Sequence, residues 1–321
     1  ATLFAFSCSD DDVGDTTPDI GVDQAVTTPD GAAVDTGATD KAVADQAASD
    51  GVTLGDMVGP APGLPSNVTM YVNVGDSLAV GYPATTGYAY KELLMENDDT
   101  KFPTWKGKDL KTKYPKIYMV DKAAFGALSS QLPAQTAAVG GNPSGDTLVI
   151  ISIGGNDFAG AIIQLSLNAN AGTTLAKQVT ASIDKALLPF ADKTKYPGKV
   201  AVVLMTFHDP TDGAGKIPNV TGLTGFCQAV LLAGPIVGPT VIKGMNLFNQ
   251  ELKTWAQTKG VMIADNHAHT LGHGWNYNDK TNKYYDAKDP TLWFYTDCLH
   301  ANDRGNHEMR TVIWDRMVGS K

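Results

Sequence analysis

Five short apolar runs punctuate the later part of the chain, at Thr69–Val74, Lys116–Val120, Thr147–Ile153, Lys199–Thr206 and Val261–Asp265. Each is five to eight residues long, the length of a buried strand and too short for a core helix. Between them the period changes. Leu175, Val179, Ile183 and Leu187 fall at steps of four, and Met245, Phe248, Leu252 and Trp255 share one face ahead of Gly260, a helix stop. Met309, Val312, Ile313 and Met317 repeat the pattern near the C-terminus. Strands alternating with helices predict an α/β domain whose parallel sheet is covered on both faces. Sites in such sheets lie beyond the carboxyl ends of the strands, so the loops there are where chemistry is sought.

No such periodicity exists before residue 66. From Thr16 to Gly51 the chain is mostly Asp, Ala, Thr, Gly, Val and Pro, and Asp30, Asp35, Asp40, Asp45 and Asp50 recur every fifth residue. A period of five matches neither helix nor strand, so no apolar face forms to offset chain entropy. Residues 9–65 are therefore expected to be a disordered tether, and residues 66–321 the folded domain. The aspartates lack the clustered spacing of a calcium loop. Pro60, Pro62 and Pro65 mark the end of the tether.

Charge follows the same division. The chain of 321 residues carries −9 overall, but residues 1–65 hold twelve Asp and one Lys, a balance of −11. The folded part is thus nearly neutral, which gives no electrostatic reason to expect nucleic acid as a partner. No apolar run reaches the roughly 18 residues that span a bilayer. The opening ATLFAFS reads as the end of an export signal's apolar region, and Cys8 follows it. Residues 1–8 resemble the end of a bacterial lipoprotein signal, in which Cys8 would be lipidated and anchor the chain to a membrane. An incidental or buried cysteine is the alternative. Either way an exported protein is expected, in the cell envelope or secreted. No pattern in the sequence specifies an oligomeric state.

The strand ends gather glycines and polar residues. The first run ends in Gly75-Asp76-Ser77, and the second leads into "DKAAFGALSS" with Gly126 at its turn. The third ends in Gly154-Gly155-Asn156-Asp157, and the fourth in Phe207-His208-Asp209-Pro210. After the fifth come "HAHTLGHGW" and then "DCLHANDRGNHEMR". Singly these are helix caps, turn glycines and a surface pair. Together they are what ester hydrolysis requires. A serine hydroxyl needs a neighbouring base, for which histidine is suited, and a carboxylate must fix the histidine tautomer. Asp297 and His300 stand three apart and can bond within one turn. The Ser77 and Gly126 amides and the Asn156 side chain could supply donors to an oxyanion.

In these blocks the chain resembles the SGNH, or GDSL-type, hydrolases. "GDSLAVGY" is similar to the family's nucleophile block, "FGALSS" to its glycine block, "GGNDF" to its asparagine block and "DCLHAND" to its Asp-x-x-His block, in the family's order. The resemblance covers roughly residues 68–318. It implies a flavodoxin-like three-layer α/β/α sandwich with a five-stranded parallel sheet, and a serine esterase or lipase that needs no metal or cofactor. It carries over Ser77 as nucleophile, His300 as base, Asp297 as its orienting acid, and Gly126 and Asn156 as oxyanion donors. Asp76 is usual in the family and is read as support for the turn. The family often has Asn shortly after the second strand, where this chain has Asp121. "LGHGW" resembles a segment near the cleft of some relatives, which makes His273 a further cleft candidate.

His267, His269 and His273 lack the Cys or carboxylate company of familiar zinc motifs and are read as cleft or loop residues. Export favours a disulfide between Cys227, after the fourth strand, and Cys298, inside the Asp-His turn. Two separate thiols are the alternative. The long segment 208–240 is read as a cover for substrate or a short buried helix. Rival functions are a catalytically silent surface glycan-binding protein on the same scaffold and a nucleotide- or flavin-binding domain. The latter is disfavoured by Asp76 and the absence of a P-loop pattern. No G-x-S-x-G occurs, which disfavours an α/β-hydrolase. Within the family, lipase, lysophospholipase, thioesterase and sugar deacetylase all remain open.

Overall fold

In the structure, a computed structural model, residues 63–218 and 238–319 are described. Residues 9–62 of the tether, Cys8, Cys227 and the centre of the 208–240 segment lie outside the described residues; Leu64 and Pro65, at the tether's expected end, bond the domain through the Met317 carbonyl and the Tyr114 hydroxyl.

All five apolar runs are strands: β1 (Val68–Gly75), β2 (Tyr118–Asp121), β3 (Asp146–Ser152), β4 (Val200–Met205) and β5 (Met262–Ala264). They form one sheet in the order β2-β1-β3-β4-β5, and every pair is parallel. This is the flavodoxin-like order, with the reversal of strand order at β1 and β3. The described helices are α1 (Ser77–Val80), α2 (Tyr90–Met95), α3 (Leu110–Lys113), α4 (Leu132–Ala137), α5 (Gly155–Gly160), α6 (Ile162–Leu167), α7 (Ala171–Leu187), α8 (Pro239–Lys259), α9 (Asn266–Thr270) and α10 (Asp303–Val318).

Side chains alternate across the strands and so build two cores. Val72, Val74, Val149, Ile151, Val202 and Leu204 pack with Val179 and Ile183 of α7 and Phe248 and Leu252 of α8. Their neighbours Tyr71, Leu148, Ile150 and Val203 face the other way, against Leu94 of α2, Leu110 of α3, and Met309 and Ile313 of α10. A strand buried on both faces has no polar side to show, which is why the runs read as continuously apolar. The helical stripes are these core faces, and Gly260 closes α8 at φ 68, a left-handed cap.

The consequence for function is positional. The carboxyl ends of β1 and β3 lie side by side at the reversal, with Gly75 in register with Ser152.

Candidate active site

The chain leaves β1 through a turn that only glycine can make. Gly75 has φ 140, and a Cβ there would lie 1.8 Å from the Ser152 carbonyl oxygen of the adjacent strand. That oxygen instead accepts the Asp76 N–H at 3.0 Å. Gln135 of α4 grips the same turn from both sides, donating to the Gly75 carbonyl and accepting its N–H, each at 2.8 Å. Asp76 then caps α1 by accepting the Leu78 N–H at 3.1 Å. Ser77 is therefore the first residue of α1, and its side chain is held at the sheet edge.

His300 closes the distance that separates it from Ser77 in sequence. Its Nε2 lies 2.7 Å from Ser77 Oγ, across 223 positions. Its Nδ1 lies 2.6 Å from Asp297 Oδ2. The other oxygen of Asp297 accepts the Leu299 and His300 backbone amides at 3.0 Å each, so the carboxylate is fixed within its own turn. Burial works against its charge, but the bond to His300, the histidine's charge and those two amides hold the carboxyl below the usual carboxylate range. The turn itself is clipped by the Tyr295 N–H bond to the His300 carbonyl and by the Phe294–Ala301 bridge.

Gly126 and Asn156 arrive from the neighbouring loops. The Ala124 N–H bonds the Gly75 carbonyl at 3.0 Å, which draws the segment after β2 across the end of β1. Gly126 has φ 71, and nothing lies within 4 Å of where a Cβ would stand, so the left-handed turn and not protein crowding selects glycine. Asn156, in the first turn of α5, donates one amide hydrogen to the Ala127 carbonyl at 3.1 Å. Among the described residues no acceptor takes the Ser77 or Gly126 N–H. The structure thus brings Ser77, Asp297, His300, Asp76, Gly126 and Asn156 to one edge of the sheet.

His273 is not part of that cluster's hydrogen bonding. Its ring stacks on Trp293 at 3.5 Å, and the Trp293 N–H donates to the His273 carbonyl at 2.9 Å, so it braces the segment leading into the Asp-His turn. Asp212 anchors the same region by accepting the Gly272, Gly274 and Asn276 amides, and burial lifts its carboxyl to about 6. His269 pairs with Glu308 at 3.0 Å. Among the described residues no three His, Cys, Asp or Glu side chains gather as a metal site would need. Asp121 accepts from Asn73 at 2.9 Å and pairs with Lys91, an anchoring role at the end of β2. Cys298 is disulfide-bonded, and Cys8 and Cys227, the remaining cysteines, lie outside the described residues.

Four residues at the site had no assigned role in the sequence. Asp157 accepts both the N–H and the hydroxyl of Ser129, at 2.9 and 2.7 Å, and so staples the glycine loop to the turn that carries Asn156. Its place beside Asn156 in "GGNDF" was the available signal. His208 bonds the Leu299 carbonyl at 2.6 Å, a partner with no side-chain identity to betray it in sequence. Tyr82 and Phe125, each inside a motif block, put their rings against His300.

Among solved structures, an extracellular lipase from Streptomyces rimosus aligns at 17% identity, covering 78% of this chain and 100% of its own, with a TM-score of 0.47. Phospholipase A1 from Streptomyces albidoflavus aligns at 17%, covering 78% and 99%, with a TM-score of 0.44. An acetyl xylan esterase aligns at 16%, covering 78% and 100%, with a TM-score of 0.46. No curated protein matches the chain. The family model described as GDSL-like lipase/acylhydrolase matches residues 71–312, most of the chain, and the chain belongs to that family.

Proposed function

We propose that this member of an ester-hydrolase family is a serine hydrolase that cleaves carboxylic esters through an acyl-enzyme. The single observation that carries the reading is the unbroken relay from Asp297 through His300 to Ser77, at 2.6 and 2.7 Å. His300 Nε2 takes the Ser77 proton as Oγ attacks the ester carbonyl. Asp297 holds Nδ1–H and stabilises the imidazolium that forms. The Ser77 and Gly126 amides and the second Asn156 amide hydrogen receive the oxyanion. His300 then passes the proton to the departing alcohol. Water, deprotonated by the same imidazole, releases the acid. No step calls for a metal or a redox group.

We further infer an exported protein. The apolar start followed by Cys8 supports this, and so does the disulfide at Cys298, since such bonds persist in oxidising compartments. Anchoring of the chain through a lipid on Cys8 is part of the same proposal.

A fluorophosphonate probe should label the wild-type protein at Ser77 and fail to label Ser77→Ala, and ester hydrolysis should vanish with the label. Retained hydrolysis in Ser77→Ala would falsify the mechanism, and an unlabelled, inactive wild type would favour a silent binding protein. Nitrophenyl esters from acetyl to palmitoyl, beside an acetylated sugar, would sort lipase, esterase and deacetylase.

A further inference from the structure

We propose that the exposed rings of Tyr82 and Phe125 form the wall that seats the alcohol half of the ester, making this protein selective for esters of flat, apolar alcohols. The inference rests on the roles given to Ser77 and His300 above. Phe125 is 51% exposed and Tyr82 44%, yet neither ring stands alone. The Tyr82 ring meets the His300 ring edge-on at 5.0 Å and 85°, and meets Phe125 edge-on at 5.1 Å and 86°. Phe125 lies 6.2 Å from the imidazole at 27°, close to parallel with it. Scattered apolar side chains on a surface need no explanation, but two open rings packed on each other and on the proton-transferring imidazole make a built corner.

The chemistry decides which half of the substrate meets that corner. During acylation the Oγ–carbon bond forms, the bond from carbon to the alcohol oxygen breaks, and the Ser77 proton passes through His300 to that oxygen. The alcohol oxygen must therefore come within hydrogen-bond reach of Nε2. Its first carbon lies one bond further out, beside the rings that pack on the imidazole. The acyl chain leaves the tetrahedral carbon in a different direction, because Oγ, the oxyanion and the alcohol oxygen take the other three. A planar alcohol group can stack on Phe125 or meet the edge of Tyr82, whereas a short alkyl group covers little of either.

The test compares kcat/KM for benzyl acetate and ethyl acetate, whose alcohols have similar leaving ability, so the ratio reports recognition. We expect wild type to favour benzyl acetate. Phe125→Ala should lower the benzyl-to-ethyl ratio by roughly three- to tenfold, and Phe125→Leu, apolar but not flat, should lower it less. Tyr82→Ala should move it in the same direction. Lengthening the acyl group from acetyl to hexanoyl on ethyl alcohol should change wild type and Phe125→Ala by the same factor. Equal losses on both acetates would overturn the proposal, since the rings would then only steady the imidazole. A loss that grows with acyl length would overturn it too, by assigning the wall to the acid half. A wild type that hydrolyses these esters without preferring benzyl removes this inference alone, whereas one that hydrolyses none of them removes the serine-esterase reading as well.

Discussion

His208 Nε2 meets the carbonyl oxygen of Leu299 at 2.6 Å, although 91 positions separate the two residues. Leu299 stands between Asp297 and His300, so this bond fixes the backbone of the turn that carries both. The ring is buried, with Phe207 at 5.1 Å and Phe294 at 4.9 Å. Burial pushes His208 down to about 4, against the opposing pull of the Leu299 carbonyl. At neutral pH the ring is therefore uncharged and donates its Nε2–H.

Replacing His208 separates bonding from bulk. His208→Ala leaves the Leu299 carbonyl unpaired, which costs about 1–3 kcal/mol, and kcat should fall as the turn loosens. His208→Gln, whose amide nitrogen reaches a similar point, should recover most of both. The glutamine variant also removes a titration. Between the ordinary histidine value of 6.5 and about 4 the unfolded chain takes up a proton that folded His208 refuses. Wild-type stability is thus lost as pH falls through that window, by up to about 3 kcal/mol. Urea unfolding at pH 7 and pH 4.5 should differ less in His208→Gln than in wild type; an equal difference would show that the ring does not titrate in this way.

Asp297→Asn tests the orienting carboxylate. The asparagine can still accept the Leu299 and His300 amides, but it can present an N–H to Nδ1 and so favour the wrong imidazole tautomer. On this reading kcat drops about 10³–10⁴-fold with the fold intact. Steady-state kinetics beside a thermal melt would check it, and a loss under tenfold would remove Asp297 from the mechanism.

The sheet was legible in the sequence because its central strands β1, β3 and β4 are buried on both faces, so Thr147–Ile153 and Lys199–Thr206 read as unbroken core, whereas edge strand β2 is partly exposed. The relay was legible because Ser77, Asp297 and His300 sit in short blocks whose chemistry is carried by side chains. What the sequence hid was bonding to backbone. Gln135 on the Gly75 turn and His208 on Leu299 each hold a carbonyl, and any residue can supply a carbonyl. The stacking of His273 on Trp293 was hidden in the same way, because the resemblance of its segment says nothing of which ring it meets.

Asn156→Ala removes one of three proposed oxyanion donors. Turnover should fall about 10²–10³-fold with KM little changed, because the amide meets charge only in the transition state. The Ala127 carbonyl loses its partner as well, so a melt is needed to separate a displaced loop from a lost donor. Asp157→Asn provides the contrast, since it weakens the Ser129 staple without touching the amide. Its loss should be smaller, and equal losses in the two variants would argue that Asn156 acts only by holding the loop.

Asp76 sets stability against chemistry. Burial lifts its carboxyl to about 7, and the Leu78 amide, the charge of His300 and the Gly155 amide only partly oppose the shift. An unfolded aspartate ionises near 4, so between about 4 and 7 the folded chain holds a proton that the unfolded chain has released. Stability attributable to Asp76 therefore falls as pH rises through that window and stays lost above it. Asp76→Asn has no proton to lose, and its carbonyl can still accept the Leu78 N–H. Relative to wild type the variant should gain stability from pH 4 to pH 7 and then level off, at up to about 4 kcal/mol. A difference that stays flat with pH would rule out a buried titration. The ionised carboxylate also attracts the positive charge that His300 carries while it holds the Ser77 proton, so the same substitution should lower kcat above pH 7. More stable and slower is the expected pairing, and melts and kinetics on one preparation would read both.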